Sequence, residues 1–218
     1  MSKYLITGAA GFIGSHLTDS LLADGHSVIA VDNLVSGTIE NLLIGHPQLT
    51  YLTTDITTGI PIDQPVDYVC HLASIADPQA YQTRPIETLQ VGAIGTEVML
   101  EYAREYDAPF LFTSTSEVYG NPEVHPQSES YNGNVDTYGP RSCYDESKRY
   151  GESLCRAYRE QHDIPVRVAR IFNTYGPRMR DGRAIPTFIR QGVAGDDITV
   201  ETGELINFDT GDSTDNVG

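Results

Sequence analysis

The stretch Lys3–Asp32, KYLITGAAGFIGSHLTDSLLADGHSVIAVD, has the least freedom in how it can fold. A short apolar run, Tyr4–Thr7, leads into glycines at 8, 11 and 14. A helix-periodic segment follows, with Ile13, Leu17 and Leu21 on one stripe. Gly25 ends it, and a second apolar run, Val28–Val31, stops at Asp32. Strand, glycine turn, helix and strand make one βαβ unit.

The residue types suit that unit to a dinucleotide. Gly8 permits a tight turn off the strand, Gly11 lets backbone approach a pyrophosphate, and Gly14 lets the helix pack close. The backbone N–H groups opening the helix, around Phe12, Ile13 and Gly14, attract phosphate oxygens. Asp32, with Asn33 beside it, stands at the second strand tip, where a carboxylate accepts from a ribose and repels a 2′-phosphate. NAD is therefore expected over NADP. The alternative is a turn whose glycines serve packing alone.

The chain of 218 residues can bury one sizeable core. It has no run of 18 apolar residues, so no membrane span is expected. A net charge of −16 argues against nucleic-acid binding. Cys70, Cys143 and Cys155 lack metal-ligand spacing, so no metal site and a reducing, cytoplasmic setting are expected. The strand beginning at residue 3 leads us to expect no signal peptide. Lys3 and Lys148 are the only lysines. Many acids and almost no lysine fit either a high-salt cytoplasm or an ordinary acidic protein.

Further along, Leu49–Thr53, Val66–Leu72, Phe110–Ser114 and Ile164–Ile171 read as strands. Helical patterns cover Pro85–Tyr106, with Val91, Ile94, Val98 and Met99 facing inward, and Tyr144–His162; a shorter piece lies near Ile185–Gly192. Ala73–Thr83 and the polar stretch Glu117–Thr137 read as loops, and Gly211–Gly218 as a mobile end. Alternation of strands and helices predicts an α/β, doubly wound parallel sheet with its ligand at the carboxyl strand ends. Asp55, with Ile56, falls just past the third strand, where it either faces the adenine end of the cofactor or caps a turn. His71, inside the fourth strand, reads as packed.

Tyr144 and Lys148 lie four residues apart on one helix face. A lysine ammonium beside a phenol favours the phenolate, so the pair can take a proton from a hydroxyl while hydride leaves for a nicotinamide. Thr115, Ser116 and Glu117 end the fifth strand, where hydroxyls can bind a substrate oxygen and the glutamate can act at the neighbouring carbon.

Together, the glycine turn, HLAS at His71–Ser74, STSEVYG at Ser114–Gly120, YDESK and RIFNTYGPRM at Arg170–Met179 resemble the extended short-chain dehydrogenase/reductase family of nucleotide-sugar enzymes. Within it, SEVYGNPEVHPQSESYNGNV and RSCYDESKR look like the branch that decarboxylates UDP-glucuronate to UDP-xylose. The resemblance implies a Rossmann-type domain over 1–172 and a partial substrate-binding segment over 173–218. It implies cofactor contacts at Leu72, Ala73 and Ser74, and ribose contact for Lys148. Thr115 and Ser116 would meet the sugar 4-oxygen, and Glu117 would act at C5. Asn173 would meet the diphosphate, with Arg178, and less strongly Arg183, adding positive charge.

Ser116 stands where related 4,6-dehydratases carry an aspartic acid, which favours decarboxylation. A 4,6-dehydratase or 4-epimerase is the alternative within the family, and a non-catalytic NAD-binding remnant the alternative outside it. The family continues with a substrate lobe. Here GELINFDTGDSTDNVG takes the place of that pattern, with Phe208 at one matching position, so a truncated lobe is expected. A homodimer through the helices of 85–106 and 144–162 is implied as well.

Overall fold

The computed structural model describes residues 1–180 and 183–198. The expectations for Phe208 and Gly211–Gly218 lie outside them. The first unit forms as the sequence predicts, with β1 (Lys3–Thr7), α1 (Phe12–Ala23) and β2 (Ser27–Asp32). Four more strands come after it: β3 (Leu49–Thr53), β4 (Tyr68–His71), β5 (Phe110–Thr115) and β6 (Val166–Ile171). The six form one parallel sheet in the order β3-β2-β1-β4-β5-β6, a Rossmann-like arrangement.

Alternation along the strands divides the core between two faces. Leu5, Ile29, Val31, Val69, Phe110 and Phe112 pack on one side with Met99, Leu100 and Cys155. Ile6, Val28, Ala30 and Cys70 pack on the other with Leu22 and Leu42. Burial on both faces explains why the inner strands, β2, β4 and β5 above all, read as nearly continuous apolar runs, while β3 and β6 at the edges keep exposed positions.

The helices are α2 (Pro78–Thr83), α3 (Pro85–Gln90), α4 (Thr96–Glu105), α5 (Ser142–His162) and α6 (Ala184–Ala194). On α5 the buried positions include Tyr144, Ser147, Lys148, Gly151, Cys155 and Tyr158, one inward stripe. Arg159 and His162 occupy its last turn, where the helix dipole favours cations.

Three details differ from the sequence reading. Ala73–Thr83 contains α2, started by Asp77, whose carboxylate accepts from the Ala80 N–H. The expected helix 85–106 is divided by a π-helical turn, Val91–Gly95. A π turn winds more slowly than an α-helix and so rotates the helix beyond it. Gly92, Gly95, Thr96, Met99 and Leu100 are buried, while Ile94 faces out. On α1 the buried line is Gly14, Thr18 and Leu22, and Ile13 is exposed.

Candidate active site

The glycine turn is closed by backbone packed on backbone. Gly8 has φ +67°, and a Cβ there would lie 2.8 Å from the Ala73 nitrogen. A Cβ on Gly14 would lie 2.1 Å from the Gly8 carbonyl oxygen. The start of α1 has no side-chain cap, with Gly11 at the cap position and no acid in the first turn. Its N–H groups are therefore capped by no side chain among the described residues, and this fits a pyrophosphate.

Asp32 is buried at the tip of β2. Its oxygens accept from Ala10 N–H at 2.9 Å and Leu34 N–H at 2.8 Å. Burial raises its pKa against the lowering effect of those N–H groups. Each oxygen keeps a lone pair that a ribose hydroxyl can meet. Asn33 is exposed and donates to the Asp55 carboxylate at 3.3 Å. Asp55 also accepts from the Thr57 N–H and hydroxyl at 2.9 and 2.7 Å, so it caps the turn Ile56–Thr58. Of the two sequence options for Asp55, the turn cap is the one seen, and the same carboxylate also orders Asn33 beside Asp32. Ile56 is buried in the core against Gly95. Phe12 packs its ring near His16 and Gly176. Leu72, Ala73 and Ser74 continue from β4 and are partly buried. The Leu72 and Ala73 N–H groups both donate to the Thr7 hydroxyl, each at 3.2 Å.

His71 is buried, as its place in the strand suggests. Its Nδ1 lies 2.7 Å from the Thr7 hydroxyl and its Nε2 3.1 Å from the Thr96 hydroxyl. Burial, with Lys148 nearby, pushes its pKa down to about 3, so it is a neutral packing group. Thr7 already accepts two N–H groups, so its proton goes to Nδ1 and the imidazole carries hydrogen on Nε2.

The catalytic candidates meet where β5 ends and α5 begins. Tyr144 is buried, shares a hydrogen bond with the Thr115 hydroxyl, and stacks on Tyr81 of α2 at 5.3 Å and 4°. Burial pushes its pKa up to about 12, while the Thr115 bond and the Arg183 charge act to lower it. The expected lowering by Lys148 does not carry the balance. The Lys148 ammonium is buried lower in the sheet, donating to the Thr113 carbonyl at 2.8 Å and resting 5.1 Å from the Phe112 ring centre. Burial pushes Lys148 down to about 8. Desolvation thus outweighs charge pairing at both residues.

Beyond Thr115 the chain makes one 3-10 turn, Ser116–Tyr119. Thr115 caps it by accepting from the Glu117 N–H at 3.2 Å. The Glu117 carboxylate forms an ion pair with Arg141, and the Ser116 hydroxyl faces its other oxygen at 3.5 Å. The turn is braced from behind. Arg149 donates to the carbonyls of Val118 and Asn132. Arg170 pairs with Glu152 at 2.7 Å and donates to the Tyr119 hydroxyl at 2.8 Å. Glu152 in turn accepts from Ser114 at 2.5 Å.

The positions expected to bind substrate divide. Asn173 is exposed past β6. Arg178 turns to α1 and pairs with Asp19 at 2.6 Å. Arg183 instead approaches the tyrosine pair: its charge acts on Tyr81 and Tyr144, and it is held by Asp77 at 3.5 Å and the Ala76 carbonyl at 3.0 Å. Of the two arginines, Arg183 is the one whose charge reaches Tyr144. Sequence reasoning missed Tyr81, which lay in an expected loop, and Arg141. The available signal for Arg141 was a cation three residues before Tyr144.

This arrangement places the uncapped helix start of α1 at the same sheet edge as a tyrosine, a hydroxyl and a carboxylate that can move protons. Comparison with known proteins shows what the chain is similar to. The chain is 51% identical over 202 residues to UDP-glucuronic acid decarboxylase 1 of Xenopus tropicalis, covering 91% of this chain and 48% of that protein. UDP-N-acetylglucosamine 4-epimerase of Methanobrevibacter ruminantium superposes with a TM-score of 0.80 at 29% identity, over 89% of this chain and 64% of that one. DesIV, a dTDP-glucose 4,6-dehydratase of Streptomyces venezuelae solved with NAD bound, superposes with a TM-score of 0.77 at 28% identity, over 88% and 62%. The chain spans about half the length of the curated relatives it matches. The profile of one family runs from the first strand to residue 214, and the chain accordingly belongs to the NAD dependent epimerase/dehydratase family.

Proposed function

We propose that the protein uses NAD to decarboxylate UDP-glucuronate to UDP-xylose through a 4-keto sugar. The observation that carries this reading is the meeting of Tyr144, Thr115 and Glu117 at one strand end, with Ser116 in the place of a second acid. Half-identity to UDP-glucuronic acid decarboxylases supports it.

NAD would lie along Gly8–Gly14, with Asp32 on its adenosine ribose and Lys148 on the other; when bound it accepts two electrons from C4 and later returns them. Tyr144 takes the C4 hydroxyl proton, and Thr115 holds the same oxygen. A phenol with a pKa near 12 is suited to giving that proton back, and takes it only when positive charge gathers beside it. Arg183 already acts on Tyr144 in this sense, and Lys148, one turn along the helix, is the second source of charge in this reading. With C4 a ketone, the C6 carboxylate is a β-keto acid. The C5–C6 electrons move toward C4, CO2 leaves, and C5 takes a proton from solvent at Glu117. Ser116 carries no acidic proton for expelling a C6 hydroxide, which a 4,6-dehydratase needs. Asn173 and the 173–218 segment form the substrate side in this reading, with Arg183 nearer the reacting sugar than Arg178.

A homodimer belongs to the same proposal, supported by Ile86, Leu89 and Ile94 exposed along one stretch. So does a cytoplasmic setting, supported by three free buried cysteines. No helix among the described residues is long and apolar enough to cross a membrane.

A proton NMR time course with UDP-glucuronate and NAD, at low and molar salt, tests the reading. UDP-xylose is the expected product. A 4-keto-6-deoxy or 4-epimeric sugar from the matching neutral nucleotide sugars would move the assignment to the dehydratases or epimerases. NAD binding with every sugar unchanged would leave a cofactor-binding module.

A further inference from the structure

Arg141 stands where a cation is poorly placed. It occupies the cap position of α5, the positive end of a helix of 21 residues, and makes no cap bond with its side chain. Its carbonyl accepts from the Tyr144 and Asp145 N–H groups at 3.0 and 3.1 Å, so its backbone builds the turn that presents Tyr144. Its side chain leaves the helix for Glu117, and the two are only 18% and 23% exposed. An ion pair this shielded from water is costly to form without close geometry. The helix end and the Ser116–Tyr119 turn are thus locked together by one residue across the site.

We propose that Arg141 is a positioning residue of the reaction. It keeps Glu117 ionised and fixed on the turn that Thr115 ties to Tyr144, so that C5 is protonated from solvent through a carboxylate that cannot swing away. This rests on the decarboxylase reading and assigns its last carbon–proton step. Once the C5–C6 bond has broken and CO2 has left, the C4–C5 enolate takes one solvent proton at C5. Glu117 receives a proton from water, passes it to C5 and returns to its pair with Arg141. The net balance is one proton consumed and one CO2 released. Because Glu117 is ionised at rest, it cannot deliver its own proton before CO2 departs, and protonation follows decarboxylation.

The charged and titratable groups around this pair are Asp145, whose pKa Arg141 lowers, Tyr81, on which Arg141 also acts, and Tyr144 with Arg183 beyond them. The test compares wild type, Arg141→Lys and Arg141→Gln. In the presence of UDP-glucuronate and NAD, Arg141→Gln is expected to keep oxidising and decarboxylating while UDP-xylose formation falls about 100-fold. The enolate then leaves the site unprotonated and takes its C5 proton in bulk solvent, so that 4-keto pentose appears in solution and reduced nicotinamide accumulates on the protein. Arg141→Lys is expected to recover part of the loss.

Equal losses in oxidation, decarboxylation and xylose formation would mark Arg141 as structural and overturn the proposal, as would unchanged turnover. A second readout needs no turnover. With carbon-13-labelled glutamate side chains, the Glu117 signal, identified by its loss in Glu117→Gln, should titrate at higher pH in Arg141→Gln than in wild type. Identical titrations overturn the proposal whatever the activity. A shifted titration in a wild type that binds NAD but makes no UDP-xylose instead overturns the decarboxylase reading, and the C5 role with it.

Discussion

Asp145 and His71 are buried ionisable residues close to the site, and they answer pH with opposite sign. Asp145, next to Tyr144, is pushed up to about 6, first by burial and then by Glu146, with Arg141 and Arg149 acting against this. Its Oδ1 is buried without a hydrogen-bond partner among the described residues. Between pH ~4 and ~6 the folded chain holds a proton there that the unfolded chain has lost. Stability from Asp145 therefore falls as pH rises through that window. His71, pushed down to about 3, stays neutral where the unfolded chain is protonated, so its contribution rises with pH between ~3 and ~6.5. The difference between wild type and Asp145→Asn isolates the first effect. The variant is expected to be more stable by about 2–3 kcal/mol at pH 7.5, with the advantage vanishing near pH 4. Urea unfolding at both values checks this, and a constant difference would show that ionisation is not the cause. At this scale Tyr144, Lys148 and Glu117 were legible because each sits on a strand end or helix face that local pattern predicts. Arg141 and Tyr81 were not, since their importance lies in partners distant in sequence.

Among elements, the contact between the π turn and α5 governs how the tyrosine helix is seated. A Cβ on Gly92 would lie 2.5 Å from the Ser147 Cβ, and Ser147 is held by its own bond to the Tyr144 carbonyl at 2.7 Å. Gly92→Ala is expected to cost about 1–3 kcal/mol by overpacking and to lower turnover by displacing Tyr144. Gly192→Ala, on α6 where an added Cβ meets nothing within 4 Å among the described residues, is expected to be neutral or slightly stabilising. Denaturant midpoints of the two variants decide it. The inner strands were legible because burial on both faces leaves apolar runs, and the edge strands β3 and β6, which keep exposed positions, because each follows a helix or turn in the alternating pattern. The π turn was not, because a periodic reading advances a fixed angle per residue, and only close packing on Ser147 reveals the break. Helix α2 was hidden by its brevity, six residues with proline at its start and another just beyond it.

For the molecule as a whole, charge is the dominant property. With 30 acidic and 14 basic residues, the folded state brings like charges together, and salt screens them. We propose that the chain is adapted to high salt. Its thermal midpoint should rise by several degrees between 0.1 and 2 M KCl, on the order of 1 kcal/mol or more of relieved repulsion. A flat or falling midpoint would instead describe an ordinary acidic protein.

The strand order carries one more consequence. It reverses between β1 and β4, so the sheet has two halves that meet along a single seam. The glycine turn, Asp32 and Asp55 belong to the β1–β3 half; Thr115–Glu117, Arg141 and Tyr144 belong to the β4–β6 half. Randomising positions 115–117 and 141 thus leaves the β1–β3 half untouched. For an engineer, the protein is a socket with an exchangeable tool: new reactions can be selected on one side while the other keeps accepting the same coenzyme.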